Sequence, residues 1–167
     1  MNRLSNSSKY TFYALVLIVL VISVLGCLSN QSRPSDVVSD FEYVLYDETN
    51  TSIKLSDSYG VPIILNFWAG LCPPCRAEMP DFQEFYDSYG HEIVVIGIDI
   101  GKYTGLGSKA DALKLVDELG ITYTIGGVED DSVIELYSVY GLPHTLFIDG
   151  DQNLVRAWSG VINLSKL

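Results

Sequence analysis

Apolar residues recur along this chain with two periods, one suited to strands and one to helices. Residues 29–39 are polar, contain Pro34 and read as a linker. Beyond them Phe41, Tyr43 and Leu45 alternate with Glu42, Val44 and Tyr46, the two-residue period of a strand. Asp47-Glu48-Thr49-Asn50 is turn chemistry, and Ser52 to Leu55 is the returning strand of a hairpin. Val61 to Trp68 is almost continuously apolar, which predicts a central strand covered on both faces. Over residues 73–89 the period lengthens, with Met79, Phe82, Phe85, Tyr86 and Tyr89 three to four apart. That predicts a helix, kinked at Pro80. Ile93 to Ile100 is a second buried strand ending near Asp99, and Gly101 to Gly107 reads as a loop. Ser108-Lys109-Ala110-Asp111 resembles a capping box, opening a helix through Leu119 that Gly120 stops. Tyr123 to Ile125 is a short strand, and Asp130 to Tyr140 a helix with Val133, Leu136, Tyr137 and Tyr140 inward. His144 to Ile148 and Leu154 to Trp158 form a hairpin around residues 149–153. The order predicts an α/β domain over residues 40–167: a mixed central sheet, helices on both faces and an N-terminal β-hairpin. Past Gly160 a final covering helix is expected, and it is short, absent or cut off at Leu167.

The first 28 residues differ from the rest. Arg3 and Lys9 precede an apolar run from Phe12 to Leu25, the pattern of a secretory signal or a single membrane anchor. Val24-Leu25-Gly26-Cys27 resembles a bacterial lipobox, so Cys27 is either a lipidation site or a buried thiol in an uncleaved anchor. Both readings put the domain outside the cytoplasm and tethered to the membrane. With 10 basic and 21 acidic residues, the formal net charge is −11, which argues against nucleic acid as a partner.

Only Cys72 and Cys75 remain for the folded part, so no disulfide framework holds it together. They follow the apolar strand where a helix begins, and Pro73 and Pro74 suit its first turn. Cysteines at this spacing across a helical turn stand roughly 5–6 Å apart at Cα, within disulfide reach. As a staple, so short a loop contributes only about 2 kcal/mol, against roughly 3 for fifteen residues. A reversible redox pair makes better sense of the spacing. The helix N-terminus favours thiolate at Cys72, the nucleophile, leaving Cys75 to resolve. The competing readings are half of a zinc site and inert buried thiols. The glycines of residues 101–107 lack the Lys-Ser/Thr of a phosphate cradle. Asp149-Gly150-Asp151 starts like a calcium loop, but Leu154 occupies the place of its glycine. No metal and no cofactor is expected.

Asn66-Phe67-Trp68-Ala69, the string Cys72-Pro73-Pro74-Cys75-Arg76-Ala77-Glu78-Met79-Pro80, then Tyr140-Gly141-Leu142-Pro143 and Phe147-Ile148-Asp149 together resemble the thioredoxin superfamily. More narrowly they resemble its membrane-tethered TlpA/ResA-type thiol-disulfide oxidoreductases, over residues of about 40 to 162. The resemblance implies that Pro143 is cis, faces the dithiol and leaves the Leu142 backbone free to pair with an extended substrate. Trp68, Leu142 and Pro143 are then the substrate-binding residues. Asn66 stands where familiar thioredoxins have an acid, and cannot titrate. Glu78 is the candidate for that proton-accepting role, or else an ordinary acid on the helix surface. Two positions depart from the family pattern: Leu71 replaces an aromatic before the first cysteine, and His144 replaces threonine after the proline. His144 either lies beside the dithiol or points into the sheet; His91 reads as surface. The function implied is extracytoplasmic reduction of protein disulfides, as on apocytochrome c cysteines, with electrons from a membrane thiol carrier. The alternative is a copper-binding assembly factor using Cys72, Cys75 and His144, although such proteins usually space their cysteines by three residues. A peroxidase lacks support because its Thr-x-x-Cys arrangement is absent.

Overall fold

The apolar run from Val61 becomes β3 (Ile63–Trp68), all six residues buried. In the computed structural model, which describes residues 37–167, β3 lies inside a seven-stranded sheet. The signal or anchor, Cys27 and most of the linker lie outside the described residues. Among those described, no helix is long and apolar enough to cross a membrane.

The other strands are β1 (Glu42–Leu45), β2 (Ser52–Lys54), β4 (Val94–Asp99), β5 (Thr124–Gly127), β6 (His144–Ile148) and β7 (Leu154–Ser159). Their order is β2-β1-β5-β4-β3-β6-β7, with β3, β4 and β5 parallel and the remaining neighbours antiparallel. The sheet is therefore mixed, and β1 with β2 forms the N-terminal hairpin. Side-chain alternation along β3 divides the core in two. Ile64 and Trp68 pack with Cys72, Cys75, Met79, Phe82, Phe85 and Tyr123 on one face. Ile63, Leu65 and Phe67 pack with Ile96, Ile98, Leu146, Ile148 and Val133 on the other. Among the described residues, helices Pro73–Tyr89 and Lys109–Leu119 bury side chains on the first face and helix Ser132–Leu136 buries Val133 on the second, so both apolar faces are covered.

Helix α1 (Pro73–Tyr89) carries the dithiol and runs as one element with Pro80 inside it. Its stripe buries Met79, Phe82 and Phe85, while Tyr89 at its end is exposed. The segment read as a loop contains a short helix, α2 (Gly101–Thr104), which left-handed Gly105 ends. Helix α3 (Lys109–Leu119) has the expected cap. Ser108 donates from its amide and hydroxyl to Asp111, whose own amide donates back to Ser108 Oγ at 3.4 Å. Ser108→Ala should cost about 1 kcal/mol in a urea melt, and an unchanged midpoint would remove the cap from the account of this helix.

Helix α4 (Ser132–Leu136) is shorter than the Asp130 to Tyr140 pattern predicts. Ser138 adopts φ 54°, its amide donates to Glu135 O, and Val139 N donates to Ile134 O. This is the left-handed cap with two backbone bonds that normally uses glycine. Gly120 and Ile121 make the same pair of bonds at the end of α3, to Asp117 O and Val116 O. After Ser138 the chain leaves helical phase. Val139 is buried in place of Leu136 and Tyr140, both of which are exposed. At the C-terminal end, residues 164–166 form a 3₁₀ turn.

Candidate active site

The turn between β3 and α1 places both cysteines on the α1 face of the sheet. Cys72 is the N-cap of α1 and its Sγ accepts from Cys75 N at 3.3 Å. Pro73 and Pro74 fill the first helical positions, where no N–H partner is needed. The two sulfurs are bonded, with Cα atoms 5.3 Å apart, and both side chains are buried. An exposed flank precedes them: Leu71 has 58% of its surface free.

Segments distant in sequence hold this turn. Leu71 N donates to Leu106 O at 2.7 Å, and an added Cβ at Gly107 would lie 3.1 Å from Leu71 Cγ. An added Cβ at Gly70 would lie 2.5 Å from Ala112 N, so only glycine admits the backbone of α3 there. The Leu142–Pro143 bond is cis and Gly160 N donates to Pro143 O at 2.9 Å. Leu142 packs against the cluster that contains both cysteines.

Glu78 lies one turn beyond Cys75 and is fully buried, not a surface acid. Its Oε1 accepts from Asn66 Nδ2 at 2.8 Å and its Oε2 from Ile162 N at 3.0 Å. Burial pushes its carboxyl up to about 7; the Ile162 amide and Asn66 amide pull it down, and the Asp81 charge adds a smaller upward push. A group titrating there exchanges protons near neutrality.

The structure places three further residues named from the sequence, Trp68, His144 and His91. Trp68 is fully buried because alternation turns it under α1, where Gly97 leaves room; a Cβ there would lie 2.9 Å from its Nε1. It presents no surface to a substrate. His144 is buried, pairs with Phe67 in register and lies beside Leu146 in a cleft on the far face. Its Nδ1 is 2.9 Å from Ser159 Oγ, and burial lowers its proton affinity. The triad of Cys72, Cys75 and His144 needed for a copper site is split by the sheet. Among the described residues, no three His, Cys, Asp or Glu side chains are grouped to hold a metal. His91 is exposed, as expected, 3.2 Å from Glu92.

Sequence reasoning missed Asp99 as more than a strand end. It is buried at the end of β4, accepting from Gly101 N at 2.9 Å and Tyr46 OH at 3.0 Å. Burial raises its carboxyl above the ordinary range. An acid closing a run of apolar strand residues was the available signal. Gly70 gave none, since its constraint is the backbone of α3.

The model of the AhpC/TSA family matches residues 34–157. Thiol-disulfide oxidoreductase ResA of Oceanobacillus iheyensis is 29% identical over 172 residues, covering 96% of this chain and 86% of that protein. ResA of Halalkalibacterium halodurans is 31% identical over 121 residues, covering 71% and 65% respectively. Among solved structures, the exposed lipoprotein thioredoxin of Streptococcus pneumoniae aligns with TM-score 0.65 and 28% identity, over 76% of this chain and 93% of that one. StoA of Bacillus subtilis, 18% identical over 78% and 95% with TM-score 0.64, shares the fold.

Proposed function

This chain belongs to the AhpC/TSA family, and on that footing we propose that it is an extracytoplasmic thiol-disulfide oxidoreductase that reduces protein disulfides. The observation that carries this reading is the bonded Cys72–Cys75 pair at the start of α1 with buried Glu78 one turn on. In the reduced protein the Cys72 thiolate attacks one sulfur of a substrate disulfide. A mixed disulfide forms, and the second substrate sulfur leaves as a thiolate and takes a proton. Cys75 then gives its proton to the Glu78 carboxylate and attacks Cys72 Sγ. The first substrate sulfur leaves as a thiolate, two electrons have passed to the substrate, and Cys72 and Cys75 are bonded again.

A dithiol carrier in the membrane restores the thiols, and the apolar N-terminal run with Cys27 tethers the domain beside it. The relative that is an exposed lipoprotein supports lipidation of Cys27 as the tether. Leu142 and Pro143 line the substrate's approach, with Leu71 on the opposite flank. Paired cysteines in apocytochrome c are the substrate class that the family resemblance favours. The test is the reduction potential of the Cys72–Cys75 couple, measured against a glutathione or dithiothreitol series. A value near −270 mV is expected for a reductant, and one near −120 mV would reverse the direction assigned here. The reduced protein should also reduce a disulfide between the cysteines of a Cys-x-x-Cys-His peptide, and failure to do so would exclude that substrate class.

A further inference from the structure

Asn66 is buried at full depth in β3, on the face that carries the dithiol. Its Nδ2 donates twice, to Glu78 Oε1 at 2.8 Å and to Thr145 Oγ1 at 3.0 Å. Its Oδ1 is buried with no partner among the described residues. An unpaired buried carbonyl is costly, so the orientation of this amide is set by its two donations. Turned over, the amide would set Oδ1 against the Glu78 carboxylate, acceptor facing acceptor. Thr145 lies two residues after Pro143, so the amide is held between the dithiol helix and the strand of the cis proline.

We propose that Asn66 is a positioning residue for the exchange reaction: its amide holds Glu78 in place beside the dithiol and sets how readily Glu78 takes the proton of Cys75. The inference rests on Glu78 being the proton acceptor, as in the function proposed above. The charged and titratable groups that bear on Glu78 are Asp81 from its own helix, Tyr123 from the segment before β5, and the cysteines one turn back. Asp81 is an acid and burial keeps Tyr123 a neutral phenol, so neither supplies positive charge and the carboxylate depends on neutral donors. Of the two it has, Ile162 contributes backbone and Asn66 a side chain. Asn66 is therefore where sequence sets the proton affinity.

The test uses the reduced protein with ¹³C-labelled glutamate carboxyls, the Glu78 signal being assigned from Glu78→Gln. Asn66→Leu keeps the volume and removes both donations. It should raise the proton affinity of Glu78 about tenfold and shift the pH profile of mixed-disulfide resolution to the alkaline side by the same factor. Thr145→Val, which frees the amide to turn, should move both readouts the same way by less. In a Glu78→Gln background, Asn66→Leu should leave the pH profile unmoved. An unchanged Glu78 midpoint in folded Asn66→Leu protein overturns the inference, as does an equal profile shift in both backgrounds. Should Asn66→Leu fail to fold, an unmoved midpoint in Thr145→Val overturns it instead. A Glu78→Gln profile matching that of the unsubstituted protein overturns the acceptor reading and this inference with it.

Discussion

Replacing Cys72 with serine is expected to abolish disulfide reduction, with activity at least 1,000-fold lower (on the order of 10³, the scale of losing a catalytic nucleophile). The serine hydroxyl stays protonated at neutral pH and is a poor nucleophile toward sulfur, whereas a thiol at a helix N-terminus is readily ionised. Cys75 cannot substitute, because it is fully buried inside the first turn of α1 and does not stand at the helix N-cap as Cys72 does. Cys75→Ser gives a different failure. Cys72 still attacks, but nothing resolves the adduct, so the mixed disulfide should accumulate in a non-reducing gel and as an added mass. Turbidity from reduced insulin measures the first effect. Appreciable activity in Cys72→Ser would end the mechanism given above.

Glu78→Gln should show the second-largest effect, and its sign depends on pH. Glu78 in the folded protein titrates at about 7, against 4.5 for an ordinary glutamate. Below 4.5 the group holds its proton in both folded and unfolded chains, and ionisation contributes nothing. As pH rises from 4.5 to about 7 the unfolded chain releases that proton while the folded one keeps it. Stability therefore falls through this window, and above it the full cost of burying the charge is present, at most about 3 kcal/mol. A glutamine carries no such cost. Its stability relative to the unsubstituted protein should grow by roughly 2–3 kcal/mol between pH 5 and pH 8 in urea melts. Asp99 is also raised and slopes in the same direction, but it is present in both proteins and cancels in the difference. Parallel stability curves across the range would contradict a raised Glu78. Loss of reductase activity with retained or improved stability at pH 8 would separate the chemical role of this carboxyl from its structural cost.

Strands with a strong apolar pattern were legible from sequence because burial dictates their composition. The run from Val61 to Trp68 became the core strand β3, and the capping signature at Ser108 marked the start of α3 to the residue. The end of α4 was not legible, because Ser138 takes a left-handed conformation that a sequence reader assigns to glycine. The dithiol and the cis proline were visible as short motifs. What lies around them was not, since Gly70, Leu106 and Ala112 meet only through the tertiary fold. Glu78 could be named from the family resemblance, but its depth could not. A single acid on a helix carries no mark of whether its side faces water or the sheet. Trp68 was misread and His144 left between two readings for one reason: side chains along a strand alternate faces, and the face each takes depends on register.

The clamp on the redox turn bears on transplanting the activity. The tetrapeptide Cys72-Pro73-Pro74-Cys75 is held by the Leu71–Leu106 backbone bond and by the approach of α3 to Gly70. Grafted alone onto another scaffold, it would bring the sulfur chemistry but not the wall beside it. Recombination should treat residues 69–76 and 106–112 as one inherited module, because a breakpoint between them parts two surfaces that were fitted to each other.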